Sequence, residues 1–133
     1  MNDNIVEELV SAEGRINFLP DHFGSHFAKV ENLFFDLARQ FSDDYQGGLW
    51  IFFKLSNGAG YVSLDPRRYF DLHTPNGFSA KVNGNTFGII ISLYAINWLS
   101  NETGEDLLIE QFYALRDFAA QHIHRAVIFR AID

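Results

Sequence analysis

Apolar positions recur at helical spacing from about His26 to Ser42. Phe27, Val30, Phe34, Leu37, Ala38 and Phe41 share one face, and Lys29, Asn32, Asp36, Arg39 and Asp43 share the other. Ser25 is the expected N-cap of this helix, and Gly47 and Gly48 end the segment. The pattern then changes period. Leu49 to Leu55 is apolar on nearly both faces, as in a strand covered on both sides. Ser56-Asn57-Gly58-Ala59-Gly60 reads as a hairpin-type loop leading to a strand at Tyr61–Leu64, which Asp65-Pro66 ends. Phe70 and Leu72 alternate with polar neighbours, as do Phe78, Ala80 and Val82. A two-residue turn would set Asp71 opposite Val82. A three-residue loop, Pro75-Asn76-Gly77, instead pairs Leu72 with Ala80 and Phe70 with Val82, with a left-handed glycine last.

The remaining pattern is helical. Asn83 or Asn85 caps a helix over about Thr86 to Ser100 that is apolar nearly all round, hence central and buried. Thr103-Gly104-Glu105-Asp106 resembles a capping box opening a helix to about Gln121, with Leu108, Phe112, Leu115 and Ala119 inward. A last short helix covers Arg125 to Ile132. At the other end, Asn4 to Ala12 suggests a short helix that Phe18-Leu19-Pro20 breaks. The expectation is one α+β domain over residues 1–133. An antiparallel meander of about four strands, residues 49–83, packs with an N-terminal helix and two to three C-terminal helices.

Composition narrows the function classes. Hydrophobic residues make up 47% and there is no cysteine, so thiol chemistry and disulfides are excluded. The acidic N-terminus has no apolar run of the signal-peptide kind, and no stretch is apolar enough for a membrane span; a cytoplasmic protein is expected. Net charge is −7. Only the middle, with Lys54, Arg67, Arg68 and Lys81 against Asp65 and Asp71, is basic, so nucleic acid is a poor general partner. No acidic run exceeds two residues, which also argues against imitation of the closely spaced DNA phosphates.

No residue set points to catalysis. The glycines near Asn57 lie between strands, whereas phosphate cradles need a strand-to-helix turn. His22 and His26 lack the converging ligands a metal requires. His122 and His124 fit a helix C-terminus, where cations are favourable. His73 reads as a surface residue, and Asp43-Asp44 as a solvated helix end. Trp50, Phe52, Phe53 and Tyr61 fit a core better than a base-stacking platform.

Several ordered blocks resemble one known family. Phe18-Leu19-Pro20 with Phe23-Gly24 matches a Phe-Leu-Pro-x-x-Phe-Gly block. Tyr45-Gln46-Gly47-Gly48-Leu49-Trp50 matches Tyr-Asn-Gly-Gly-x-Trp, and Leu55-Ser56-Asn57-Gly58 opens a third block that diverges at Ala59 and Gly60. Asn76-Gly77-Phe78, the stretch Tyr113 to His122, and Ala131-Ile132-Asp133 complete the set. From about Arg15 to Asp133 the chain resembles the ArdB/KlcA antirestriction proteins. One departure stands out: where the family commonly has Ser-Ala-Asp-Ala, this chain has Asn83-Gly84-Asn85-Thr86 and no acid.

The resemblance implies a small, cytoplasmic, non-enzymatic protein of plasmids and other bacterial mobile elements. It implies protection of incoming DNA from type I restriction–modification systems, without cofactor or metal. Polar block residues not plainly needed for folding, Arg15, Asn57, Arg116 and Asp133, are the candidate functional surface. The rival reading is a nucleic-acid-binding module using the aromatic sheet face.

Overall fold

The computed structural model describes residues 4–133. The class is α+β, and its centre is helix α3, Gly84–Thr103. Ile89, Ile90, Ile91, Leu93 and Ile96 of α3 are fully buried. Around it pack α2 (Phe27–Phe41), α4 (Asp106–Ala119), α5 (Arg125–Ile132) and strand β3 (Gly60–Ser63). The ends of α5 are those expected, and the core stripe Leu108, Leu115 and Ala119 of α4 follows the sequence periodicity, with Phe112 half-buried. In α2 the buried positions are Val30, Phe34, Ala38 and Phe41.

The N-terminal segment departs from expectation. Residues 4–12 form no helix; Glu7–Leu9 is a strand, β1, antiparallel to β2 (Ile51–Leu55), with Glu8 opposite Lys54. A lone helix this short is marginal in water, whereas the extended segment finds partners. The Gln121 side chain binds both backbone groups of Ile5, at 2.9 and 2.7 Å. The Val6 N–H donates to Ser56 Oγ, and its carbonyl accepts from Ser56 N, both at 2.9 Å.

Pro20 breaks nothing. Helix α1, Arg15–Phe23, runs through it and buries Phe18, Leu19 and Phe23. The hydrogen bond that proline forfeits is to the carbonyl of Ile16, a residue exposed enough for water to serve. A 3-10 turn, Gly24–His26, then leads into α2, so Ser25 lies in that turn and no side chain caps α2.

The expected four-strand meander is two sheets. β1, β2 and β3 form one, and β4 (Tyr69–His73) and β5 (Ser79–Asn83) form a separate hairpin. The hairpin has the expected register, Phe70 with Val82 and Leu72 with Ala80. Its three-residue loop closes by Gly77 N–H to the Thr74 carbonyl at 3.0 Å, with Gly77 at φ +86°. What separates the sheets is α3, which takes the outer edge of β3 where β4 was expected. Val62 N–H donates to Ser92 Oγ at 3.1 Å, and Leu64 N–H to the Gly84 carbonyl at 3.2 Å. Gly84 and Gly88 make this approach possible. A Cβ on Gly88 would overlap the Val62 carbonyl oxygen and lie 2.6 Å from Ser63 Cα.

Asn83 caps α3, its Oδ1 accepting from Thr86 N–H at 2.9 Å. The capping box at Thr103 is replaced by a shared hinge. Because α3 runs on to Thr103, that hydroxyl donates to the Leu99 carbonyl and accepts from Glu105 N–H. Gly104, left-handed at φ +67°, separates the two helices.

Candidate functional site: a polar cleft at the head of the central helix

A cleft of about 260 Å³ opens where β1, the β2–β3 pair, the head of α3 and the turn after α4 meet. Glu7, Ser63, Asn83, Asn85, His122 and His124 supply its polar lining, with Phe53, Ile51 and Ile123 among its apolar walls. Tyr61, fully buried between Phe53 and Phe118, sends its hydroxyl to the same place.

The polarity of the whole chain of hydrogen bonds follows from one backbone group. His124 N–H can only donate, and it meets His122 Nδ1 at 3.0 Å. The imidazole is therefore neutral and carries its proton on Nε2. Nε2–H then donates to Asn85 Oδ1 at 2.9 Å, which turns the Asn85 amide nitrogen toward the Tyr61 hydroxyl at 3.1 Å and Ser63 Oγ at 3.3 Å. Tyr61, holding an incoming donor from Asn85, gives its own proton to Glu7 at 2.6 Å. Ser63 Oγ donates onward to the Leu64 carbonyl at 2.7 Å.

The electrostatics agree with these assignments. Burial lowers the His122 pKa below the usual imidazole value, and nearby His124 adds to the effect, while Glu7 opposes it. Burial, helped by Glu7, raises the Tyr61 pKa, so the phenol stays a donor. Tyr61, Ser63, Asn85 and His122 thus hold one another, with no free base beside a free nucleophile. Such a set is suited to presenting a fixed surface rather than to moving protons.

Sequence reasoning placed His122 and His124 at a helix end as cation caps. The structure gives His122 a different task, as the far anchor of the Asn85 amide. The partners come from four separated segments, so no local motif announces them. The four residues singled out from sequence do not converge on this cleft. Arg15 donates to the Trp50 carbonyl at 2.7 Å and lies over the Phe52 ring. Asn57 ties its loop to α4 by donating to the Ala114 carbonyl at 2.8 Å. Arg116 covers the Phe129 ring, and Asp133 closes α5 through its N–H to the Phe129 carbonyl. Arg15 and Asn57 thereby have evident structural work, while Arg116 and Asp133 each meet Phe129, one at its ring and the other at its carbonyl. Of the other histidines, His22 bonds the Phe18 carbonyl, His26 faces Glu105 and His73 bonds Ser79.

Comparison with known proteins settles the lineage. A family model described as "Antirestriction protein" matches residues 43–133. Two Escherichia coli proteins named antirestriction protein KlcA are 32% and 33% identical. Each match covers 97% of this chain, and 95% and 94% of the relatives respectively. A solved structure is 32% identical and superposes with a TM-score of 0.90 over the full length of both chains. The chain belongs to the antirestriction protein family. That solved structure was described as showing, for KlcA and ArdB, a novel fold and antirestriction activity against Type I DNA restriction systems in vivo but not in vitro.

Family membership gives Asn85 a particular interest, because it falls in the run where the resemblance carries an acid. A carboxylate there could only accept, so Tyr61 and Ser63 would have to donate to it, and Tyr61 would no longer donate to Glu7. The amide in this chain keeps the hydrogen-bond chain running toward Glu7 and leaves His122 neutral.

Proposed function

We propose that this chain relieves type I restriction of incoming DNA inside the cell. It does so as a non-enzymatic protein, through protein contacts and not by imitating DNA. The full-length structural match to KlcA and ArdB, at a TM-score of 0.90, carries this reading. Three features support the details. Glu7, Tyr61, Ser63, Asn85 and His122 are paired internally, so none of them is poised as a general base. The acids are dispersed in runs no longer than two, unlike a phosphate backbone. Among the described residues, no helix is long and apolar enough to cross a membrane. The cytoplasm, where type I systems meet entering DNA, is the compartment this reading requires. The restriction–modification system is the partner, and the cleft with its Ile123 rim is the surface offered to the protein that meets it.

The alternative, base stacking on the sheet, has little surface to use. Trp50 and Tyr61 are buried, and Phe52 stacks on Phe18 at 4.8 Å. The test is the plating of unmodified phage on a host with an active type I system. Expression of this chain is expected to raise plating efficiency toward that of modified phage. Unchanged plating with folded, soluble chain in the cells contradicts the proposal.

A further inference from the structure

Beside the cleft, and sharing Asn83 and His124 with it, lies a smaller pocket of about 90 Å³. Its lining is Tyr69, Lys81, Val82, Asn83, Thr86, His124 and Val127. The two neighbours differ in kind. In the cleft Glu7, Tyr61, Ser63, Asn85 and His122 satisfy one another, whereas the pocket is lined by polar groups without partners. The Thr86 hydroxyl is buried and unbonded. Among the described residues, Tyr69 OH, the His124 ring nitrogens and Lys81 Nζ make no hydrogen bond or ion pair. Asn83 uses Oδ1 to accept from Thr86 N–H, which leaves its amide hydrogens over. No carboxylate lines the pocket, on a chain whose net charge is −7. Asp71 stands directly across the ladder from Lys81, yet the two form no ion pair.

A buried polar group such as the Thr86 hydroxyl is rarely left unpaired without a reason, and around it Lys81, the Asn83 amide and His124 can all offer hydrogens to an acceptor. The position adds to that preference. The pocket sits at the N-terminus of α3, a helix of 20 residues, where the macrodipole is positive. The Gly84 and Thr86 N–H groups are already engaged, so the helix contributes its field more than its donors. The volume is several times the ~10–15 Å³ that one water needs, enough for a single tetrahedral oxyanion.

We propose that this pocket is an oxyanion site that takes a phosphate group, held by Lys81, His124, Asn83 and Thr86. Exposed Tyr69 at the edge offers a ring to whatever the phosphate carries. The inference does not depend on the antirestriction reading.

Isothermal titration of the full chain with inorganic phosphate, at fixed ionic strength, tests it. Saturable binding is expected, with amide NMR shifts confined to the neighbourhood of Asn83, Thr86 and His124. Lys81→Gln changes an exposed strand position and should stay folded, with affinity reduced about tenfold, the loss of one charge-assisted contact. Thr86→Val should weaken binding as well, and Arg67→Gln should leave it unchanged. A nucleoside 5′-monophosphate titrated in parallel distinguishes the sources. Tighter binding than inorganic phosphate assigns the site to an organic phosphate ester, and equal binding assigns it to the free ion. No saturable binding of either, or equal binding by Lys81→Gln, overturns the proposal. So does binding seen only with a short DNA duplex, which would indicate a backbone contact on the wider surface.

Discussion

Strand β3 and helix α3 meet twice, and the two meetings differ in what they ask of the side chains. Along the seam formed by Gly84, Gly88 and Ser92, the helix backbone lies against the strand, and Ser92 serves a strand amide. One residue after Gly84, Asn85 turns the other way and joins Tyr61 and Ser63 of the same strand to His122. The seam tolerates nothing larger than hydrogen at two positions. The cleft is polar, half-open and held by a directional chain of hydrogen bonds. Close backbone packing fixes the strand and helix, so the few polar groups beside it can be held at hydrogen-bond distance without further scaffolding.

The largest expected effect therefore lies at the seam. Gly88→Ala places a methyl into the Val62 carbonyl and should remove about 3 kcal/mol of stability, read as a lower urea midpoint with an unchanged slope. An unchanged midpoint would mean that the seam has slack the structure does not show. Tyr61→Phe comes next, losing the bond to Glu7 and one partner of Asn85. About 1 kcal/mol is expected, with the fold intact.

The pH dependence sharpens the contrast further. The His122 pKa is lowered in the fold, so below the ordinary imidazole value of about 6.5 the unfolded chain binds a proton that the native state resists. The contribution is present in full above that value. It is lost as pH falls from there through the folded-state pKa. His122→Gln should remove this component from the urea midpoint measured between neutral and mildly acidic pH. A profile identical to that of the parent chain would contradict the assignment. Asn85→Asp should raise the His122 pKa, because a carboxylate favours the imidazolium; an NMR titration of the His122 ring reads this directly. The smallest effect is expected for Arg116→Ala, which uncovers the Phe129 ring on the surface and should change stability by less than about 0.5 kcal/mol.

The same contrast explains what could be read from sequence. Periodicity located α2 and α4 because their buried faces repeat, and α3 was legible because it is apolar nearly all round. The β4–β5 register followed from one side-chain argument about Asp71 and Val82. Three things were not legible. β1 depends on Gln121 and Ser56, far away in the chain. The split of the sheet depends on a contact between Gly88 and Val62 that no local pattern encodes. The cleft unites Glu7, Tyr61, Asn85 and His122, which share no spacing rule. Family blocks pointed to Arg15 and Asn57, whose polar atoms are occupied in holding backbone. The departure at Asn85 was visible in the sequence, but only the fold shows that it sits beside His122.

The most direct test of the account is phage plating with the parent chain and three variants on a type I restricting host. The parent chain and Arg116→Ala should restore plating of unmodified phage to a similar degree. Asn85→Ala and His122→Ala, confirmed folded by circular dichroism and equally abundant, should restore markedly less. Full restoration by both cleft variants, or none by the parent chain, would contradict the claim that this antirestriction protein works through the cleft at the head of α3.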